Sequence, residues 1–245
     1  MRIVSWNMKN KKDNWIFLKN ELSPDIALLQ EANTSNPKKS KNKLVQLRVK
    51  NNVNNIIFST SSQIHRIEFP KQFNQDFVCV KSSINDKDIY FLSIYGNLDW
   101  HKCENELCEK KKDQWFTIFI GQISIIVTHL KRIHHAKHII IAGDFNCERR
   151  MDDNPTSTKF AKRGERINNL FFDSILDLGF RNCVRKFHEN PIRTHKHVRS
   201  EYPWEIDHMF CTNDLYENLI SIEVPDRVVI EEISDHNPII ATFKW

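Results

Sequence analysis

Polar residues able to do chemistry recur in this chain at the ends of short apolar runs. Residues 139–146 read IIIAGDFN, in which a run of β-branched residues stops at Gly143 and is followed by Asp144 and Asn146. A strand buried on both faces is apolar throughout, and glycine lets the chain turn at its end, so this pattern places reactive groups at a sheet edge. Other runs do the same: RIVSW delivers Asn7, DIALLQ delivers Glu31, IYFLSIY ends at Tyr95, EIDHMFC carries Asp207, and Asp235 and His236 precede the closing run IIATF. Any one of these is explicable as a turn or cap residue. Asn7, Glu31, Tyr95, Asp144, Asn146, Asp207, Asp235 and His236 together, on six strand edges, are what a site at one end of a packed sheet requires.

Carboxylates with a histidine suit a hard, oxygen-preferring ion such as Mg²⁺ or Mn²⁺. One hard ion, an activated water and several donors around developing negative charge serve phosphoester hydrolysis. The chain has no nucleophilic Ser or Cys elbow and no glycine-rich phosphate loop, which argues against covalent acyl chemistry and nucleoside-triphosphate binding. His101, Cys103 and Cys108 are poorly spaced for zinc.

Composition points to a polyanionic partner. Lys+Arg number 36 against 31 Asp+Glu, a net charge of +5, which suits nucleic acid. The basic, turn-rich stretch 149–166 follows Asp144 closely and offers Arg149, Lys162 and Arg163 to backbone phosphates. A second stretch, 193–204, mixes cations with Tyr202 and Trp204, the combination that nucleic-acid surfaces use. Six cysteines without paired spacing read as reduced thiols, and no leader is visible ahead of the first strand, so a cytoplasmic location is expected. No apolar run reaches membrane-spanning length, so no membrane partner is expected; oligomeric state is left open.

The elements that must position these groups follow from periodicity. Residues 2–6, 25–30, 55–59, 77–81, 89–95, 139–144 and 205–211 and the closing IIATF read as strands. NWIFLKNEL places Trp15, Leu18 and Leu22 at helical spacing and ends at Pro24, giving a strand–helix–strand unit. Residues 38–50 read as a basic helix or helical loop with Leu44 and Leu47 inward, the Asn-rich 51–55 as a loop, and 99–112 as an exposed loop. Residues 114–134 fit either a strand carrying His129 or a helix; Ile123, Ile126, Val127 and Leu130 favour the helix, a crossover between the strands ending at Tyr95 and Asp144. His134, His135 and His138 then belong to its exposed end. Residues 167–178 form an amphipathic helix with Leu170, Phe171, Ile175 and Leu178 inward, capped by Gly179. No linker or repeat divides the chain, so residues 1–245 are expected to form one domain.

SWNM at 5–8, LLQEAN at 28–33, SIYGN at 93–97, GDFN at 143–146, WEIDHMF at 204–210 and SDHNPI at 234–239 resemble the ordered motifs of the endonuclease/exonuclease/phosphatase, or DNase I-like, superfamily. The resemblance runs end to end along the chain. It implies an α/β four-layer sandwich of two mainly antiparallel sheets flanked by helices, with the site at one edge. It further implies that Glu31 is the main metal ligand, helped by Asn7 and Asp235. Asp144 would orient or deprotonate the attacking water with Asn146, and His236, paired with Asp207, would bind the scissile phosphate. Tyr95, Asn97 and Trp204 resemble the exonuclease III and abasic-site endonuclease branch, where a tyrosine contacts the phosphate. Two positions depart from that branch: Lys9 stands where an acid is common, and Glu205 where a basic residue is frequent.

The expected activity is therefore divalent-metal-dependent phosphodiester hydrolysis, with DNA as the favoured substrate and RNA the lesser one. The alternatives are a phosphatase or phosphodiesterase acting on a nucleotide, inositol phosphate or lipid head group, and a non-catalytic nucleic-acid-binding module.

Overall fold

The computed structural model describes residues 1–33, 44–48, 54–69, 77–96, 106–151, 166–196, 204–226 and 228–244. One sheet contains β1 (Arg2–Asn7), β2 (Ile26–Gln30), β3 (Leu44–Arg48), β4 (Asn54–Ser59), β11 (Leu219–Glu223) and β12 (Ile239–Phe243), in the order β11-β12-β1-β2-β4-β3. The other contains β5 (His65–Arg66), β6 (Phe77–Ile84), β7 (Lys87–Tyr95), β8 (His138–Asp144), β9 (Phe180–Asn182) and β10 (Asp207–Thr212), in the order β5-β6-β7-β8-β10-β9. Each sheet has one parallel pair, β1 with β2 and β7 with β8, and its other pairs are antiparallel. A parallel pair needs a crossover. The first is α1 (Asn14–Phe17) with the π-helical turn Leu18–Leu22, and the second is the long α2 (Glu106–Ile133).

Strand alternation sorts the side chains into layers. Ile3, Ile26, Leu28, Ile239 and Ala241 of the first sheet meet Val80, Phe91, Ile140, Ala142 and Met209 of the second in one apolar core. The intervening residues of the first sheet, Val4, Trp6, Ala27 and Leu29, face outward onto Trp15, Leu18 and Leu22. Those of the second sheet, Leu92, Ile139, Ile141 and Phe210, face outward onto α2 and α3 (Ile167–Asp177). Four layers result. The short α4 (Asn213–Glu217) and α5 (Val228–Ile233) complete the connections into β11 and β12.

Several sequence expectations are corrected. Residues 44–48 are an edge strand: Val45 enters the inter-sheet core while Leu44 packs on the outer cluster. The i, i+3 spacing of Leu44 and Leu47 imitates a helix, and only pairing with β4 decides otherwise. Asn54, expected in a loop, opens β4 one residue ahead of the expected strand, and both asparagines are buried: Asn54 Nδ2 donates to Ala32 O and Asn55 Nδ2 to Ser93 O. The crossover helix begins at Glu106, inside the expected loop, and its buried stripe is the expected Ile123, Ile126, Val127 and Leu130. His138 belongs to β8, and of His134, His135 and His138 it is His135 that is exposed. On α3, Phe172 takes the inward place assigned to Leu170, which is 62% exposed. Gly179 does take a left-handed conformation, φ +86°. His101 and Cys103 lie outside the described residues.

Candidate active site

The inward positions of each strand share a parity, and that parity extends to the sheet edge. Ile3, Ser5 and Asn7 lie in step on β1; Ile140, Ala142 and Asp144 on β8; Asp207, Met209 and Cys211 on β10. Register places the ends together, since Asn7 pairs with Gln30, Tyr95 with Asp144, and Asp207 with Asp144. The apolar layer between the sheets therefore ends in a polar one.

Two backbone features bring that layer to its shape. Gly143 sits at φ +150°, and a Cβ there would stand 1.9 Å from Ile94 O of β7, so close pairing beside Asp144 requires glycine. Glu31 and Asn146 adopt left-handed conformations, φ +46° and +53°, which are costly for a residue such as glutamate and cluster at functional sites.

The side chains form one connected set. Asn7 Nδ2 donates to Asp144 Oδ2 at 3.0 Å and to Glu31 Oε1 at 3.2 Å. Tyr95 hydroxyl donates to the same Glu31 oxygen at 2.9 Å. Asp144 Oδ1 accepts from Asn146 N at 2.9 Å, and Asn146 Nδ2 is tied to Gly96 O at 2.8 Å. His236 Nδ1 lies 2.9 Å from Asp207 Oδ2, and its Nε2 lies 4.0 Å from Asp144 Oδ2. Burial pushes the Asp144 carboxyl up to about 7; the Asp207 charge adds to this, while His236, Asn7 and Asn146 oppose it. For His236 burial disfavours the charged ring, but Asp207 and Asp144 outweigh it and hold the imidazole up to about 10. The ring is thus cationic beside two buried carboxylates.

The set fits a hard cation. The carboxylate oxygens of Asp144 and Asp207 lie within 4.8 Å of one another, and the Glu31 carboxylate is linked to Asp144 through Asn7. Asp207 Oδ1 is buried and accepts no hydrogen bond among the described residues, an unmet demand that a cation or its bound water answers. Asp235 stands apart from that cluster: Lys9 Nζ lies 2.8 Å from its Oδ2. Burial works against the Asp235 charge, yet the Lys9 hydrogen bond and His236 hold its pKa below the ordinary carboxylate value.

Residues not singled out from the sequence frame the site. Thr194 Oγ1 accepts from the backbone N–H groups of Ile206 and Asp207, both at 3.0 Å, and so sets where β10 begins. Ser234 Oγ donates to Asn7 O at 2.8 Å, and Trp6 Nε1 donates to His236 O at 2.8 Å. His195, in an isolated bridge to both Trp204 and His236, lays its ring 4.5 Å from that of His236. Trp6 and Ser234 fall inside the quoted motifs, but nothing in the sequence marks Thr194. Trp204 is half-buried at this bridge. Arg149 is drawn to α3 instead, with Nη1 3.1 Å from Asn169 Oδ1 and Nη2 2.7 Å from Asp173 Oδ1. Asn97, Lys162 and Arg163 lie outside the described residues.

No protein-family model and no curated protein sequence matches the chain. Solved structures do. A 3'-5' exonuclease from Neisseria meningitidis superposes with TM-score 0.72 at 18% identity, covering 100% of both chains. An AP endonuclease from Archaeoglobus fulgidus gives TM-score 0.71 at 20% identity, again covering 100% of both. The AP endonuclease LMAP from Leishmania major gives 0.75 at 14% identity, over 100% of this chain and 87% of that one. With its paired six-stranded sheets and outer helices, this chain has the fold of the DNase I-like superfamily.

Proposed function

We propose that this chain is a divalent-metal-dependent phosphodiester hydrolase acting on DNA. The observation that carries the reading is the connected set of Asn7, Glu31, Tyr95, Asp144 and the Asp207–His236 pair at one edge of the sandwich. Neighbours of the same fold support the substrate class: one is a 3' phosphatase from Neisseria bound to a product DNA hairpin, another a zebrafish (D. rerio) protein complexed with single-strand DNA product.

Glu31 and Asn7 would hold Mg²⁺ or Mn²⁺, with Asp235 a further ligand when Lys9 releases it, and the ion when bound supplies Lewis acidity at a phosphate oxygen. Asp144, steadied by Asn7 and the Asn146 N–H, takes the proton of the attacking water. Asn146 holds that water on its other side. His236, oriented by Asp207, meets the scissile phosphate as a cation, and the Tyr95 hydroxyl turns from Glu31 to the same group. Trp204 and Asn97 are assigned to the nucleotide beside the cut, and Lys162 and Arg163 to phosphates farther along. Arg149 serves by holding its own turn on α3.

The residues act as one unit, 1–245, because a single core joins both sheets. No helix among the described residues is long and apolar enough to cross a membrane. Cys79, Cys183 and Cys211 are buried thiols outside any disulfide, which supports a reducing, cytoplasmic setting.

The test compares plasmid DNA, a duplex with one abasic site and bis-p-nitrophenyl phosphate, in Mg²⁺, Mn²⁺ or EDTA. Metal-dependent DNA cleavage that falls by about 10³-fold or more in Asp144→Asn, with the melting transition retained, is the expected result. Turnover of the small ester alone would move the reading to a phosphodiesterase of small substrates, and cleavage that survives in Asp144→Asn would overturn the assignment.

A further inference from the structure

Behind the candidate active site, on the opposite face of the second sheet, lies a cavity of about 210 Å³. Its polar lining includes Glu148, Glu205 and His208, with side chains only 3–4% exposed. Its apolar walls include Phe172, Leu176, Pro191 and Phe210. The cavity is built from the neighbours of catalytic-site residues: Glu148 follows Asn146 by two positions, and His208 follows Asp207 on β10 but points the other way.

The charges here are already matched. Glu148 Oε2 lies 2.7 Å from Arg150, Glu205 Oε2 is paired with Arg185, and Arg149 with Asp173. What is unmet is hydrogen bonding. Glu148 Oε1 and His208 Nδ1 are buried and have no partner among the described residues. His208 Nε2 lies 2.8 Å from Cys147 O, so in the neutral ring Nε2 carries the hydrogen and Nδ1 is an acceptor. That acceptor faces Glu205 Oε1, a second acceptor, at 3.9 Å. Two acceptors at that separation call for a donor between them. A divalent cation is disfavoured because no net negative charge awaits it. The space is smaller than the roughly 300–1,000 Å³ of sites for drug-sized ligands, and its walls are aromatic and aliphatic, so one planar ring suits it. The ring of Phe172 stands 4.7 Å from that of His208 and carries the Arg149 guanidinium at 5.3 Å on its own surface.

We infer that this cavity receives a nucleobase with an exocyclic amino group, cytosine or adenine, whose amine donates to the acceptors of Glu148, Glu205 and His208 while its ring lies against Phe172. Glutamate accepting from such an amine is an established mode of base discrimination. The base comes either from an unstacked nucleotide of a bound strand or from a free nucleoside; the strand source rests on the nucleic-acid reading above.

Binding is measured in EDTA, so that no turnover is needed. Fluorescence anisotropy compares short single-stranded oligonucleotides of dC, dA and dT, and NMR follows the His208 ring during titration with cytidine or thymidine. The expected result is an affinity for dC or dA at least about fivefold above that for dT, abolished in Leu176→Trp, whose indole fills the cavity from its 42%-exposed rim. A melting curve shows that this variant is folded. Movement of the His208 signals by cytidine without any preference among oligonucleotides would assign the site to free nucleosides. Equal affinity for all three strands together with no response, or the same response, to both nucleosides overturns the proposal, as does a preference that persists in folded Leu176→Trp. A selective cavity in a chain that hydrolyses nothing would overturn only the hydrolase reading, and hydrolysis without selectivity only this one.

Discussion

Asp207 works through His236. Its Oδ2 sits 2.9 Å from Nδ1, and its backbone N–H is pinned by Thr194, so the imidazole presents Nε2 toward Asp144. An amide at position 207 keeps the shape but removes the charge that holds the ring protonated. Asp207→Asn is therefore expected to lower kcat/KM by about 10²- to 10⁴-fold with an unchanged circular dichroism spectrum; a near-wild-type rate would remove the pair from the mechanism. Lys9 acts in the opposite sense. Its ammonium holds Asp235, and since both side chains are partly exposed, at 45% and 28%, the pair is screened by solvent. Lys9→Ala frees that carboxylate, and Mn²⁺ measured by calorimetry should bind about two- to fivefold more tightly. Unchanged or weaker binding would mean that Asp235 takes no part in holding the ion.

At the scale of elements, the site depends on how closely β7 and β8 approach. Gly143 makes that approach, and Gly143→Ala would force its methyl group into the Ile94 carbonyl. A loss of about 2–4 kcal/mol in urea unfolding is expected, with activity falling even at low temperature because Asp144 follows directly. The crossover helix α2 differs. Leu130 is fully buried against the outer face of the second sheet, away from the polar edge. Leu130→Ala should remove about 2–5 kcal/mol of stability while kcat per folded molecule stays within twofold of wild type, roughly 0.4 kcal/mol in barrier.

For the whole molecule, folding concentrates acidic groups at one end of the sandwich: among the described residues, Glu31, Asp144 and Asp207 meet there with His236 and hydrogen bonds to balance them. A cation that binds the native state alone stabilises it by mass action, by about 2.7 kcal/mol at one hundred times its Kd. Mn²⁺ should therefore raise the melting temperature of the wild-type chain and leave that of Glu31→Gln much less changed. Equal shifts in both would place the ion elsewhere.

The strands that carry the site were legible because each is an apolar run with a polar end, and a strand buried on both faces cannot be written otherwise. The placement of Asn7, Glu31, Tyr95, Asp144, Asp207 and His236 at or beside strand ends was legible for the same reason, together with the crossover stripe of Ile123, Ile126, Val127 and Leu130. Elements whose packing is settled by a distant partner were not. Leu44 and Leu47 satisfy a helical spacing until β4 pairs with them, and Asn54 reads as a loop residue until Ala32 accepts its amide. Leu170 and Phe172 could not be ranked before the position of α3 on the sheet was known. Thr194 acquires meaning only when two backbone donors arrive at its hydroxyl. The sequence by itself determined which residue types could hold a cation and activate water, and roughly where strands would present them. Only the tertiary structure decided their company: that Lys9 neutralises Asp235, that His195 lies on His236, and that Glu148 and His208 turn to a second cavity. Those contacts join residues far apart in the chain, and register and burial, which no local pattern encodes, bring them together.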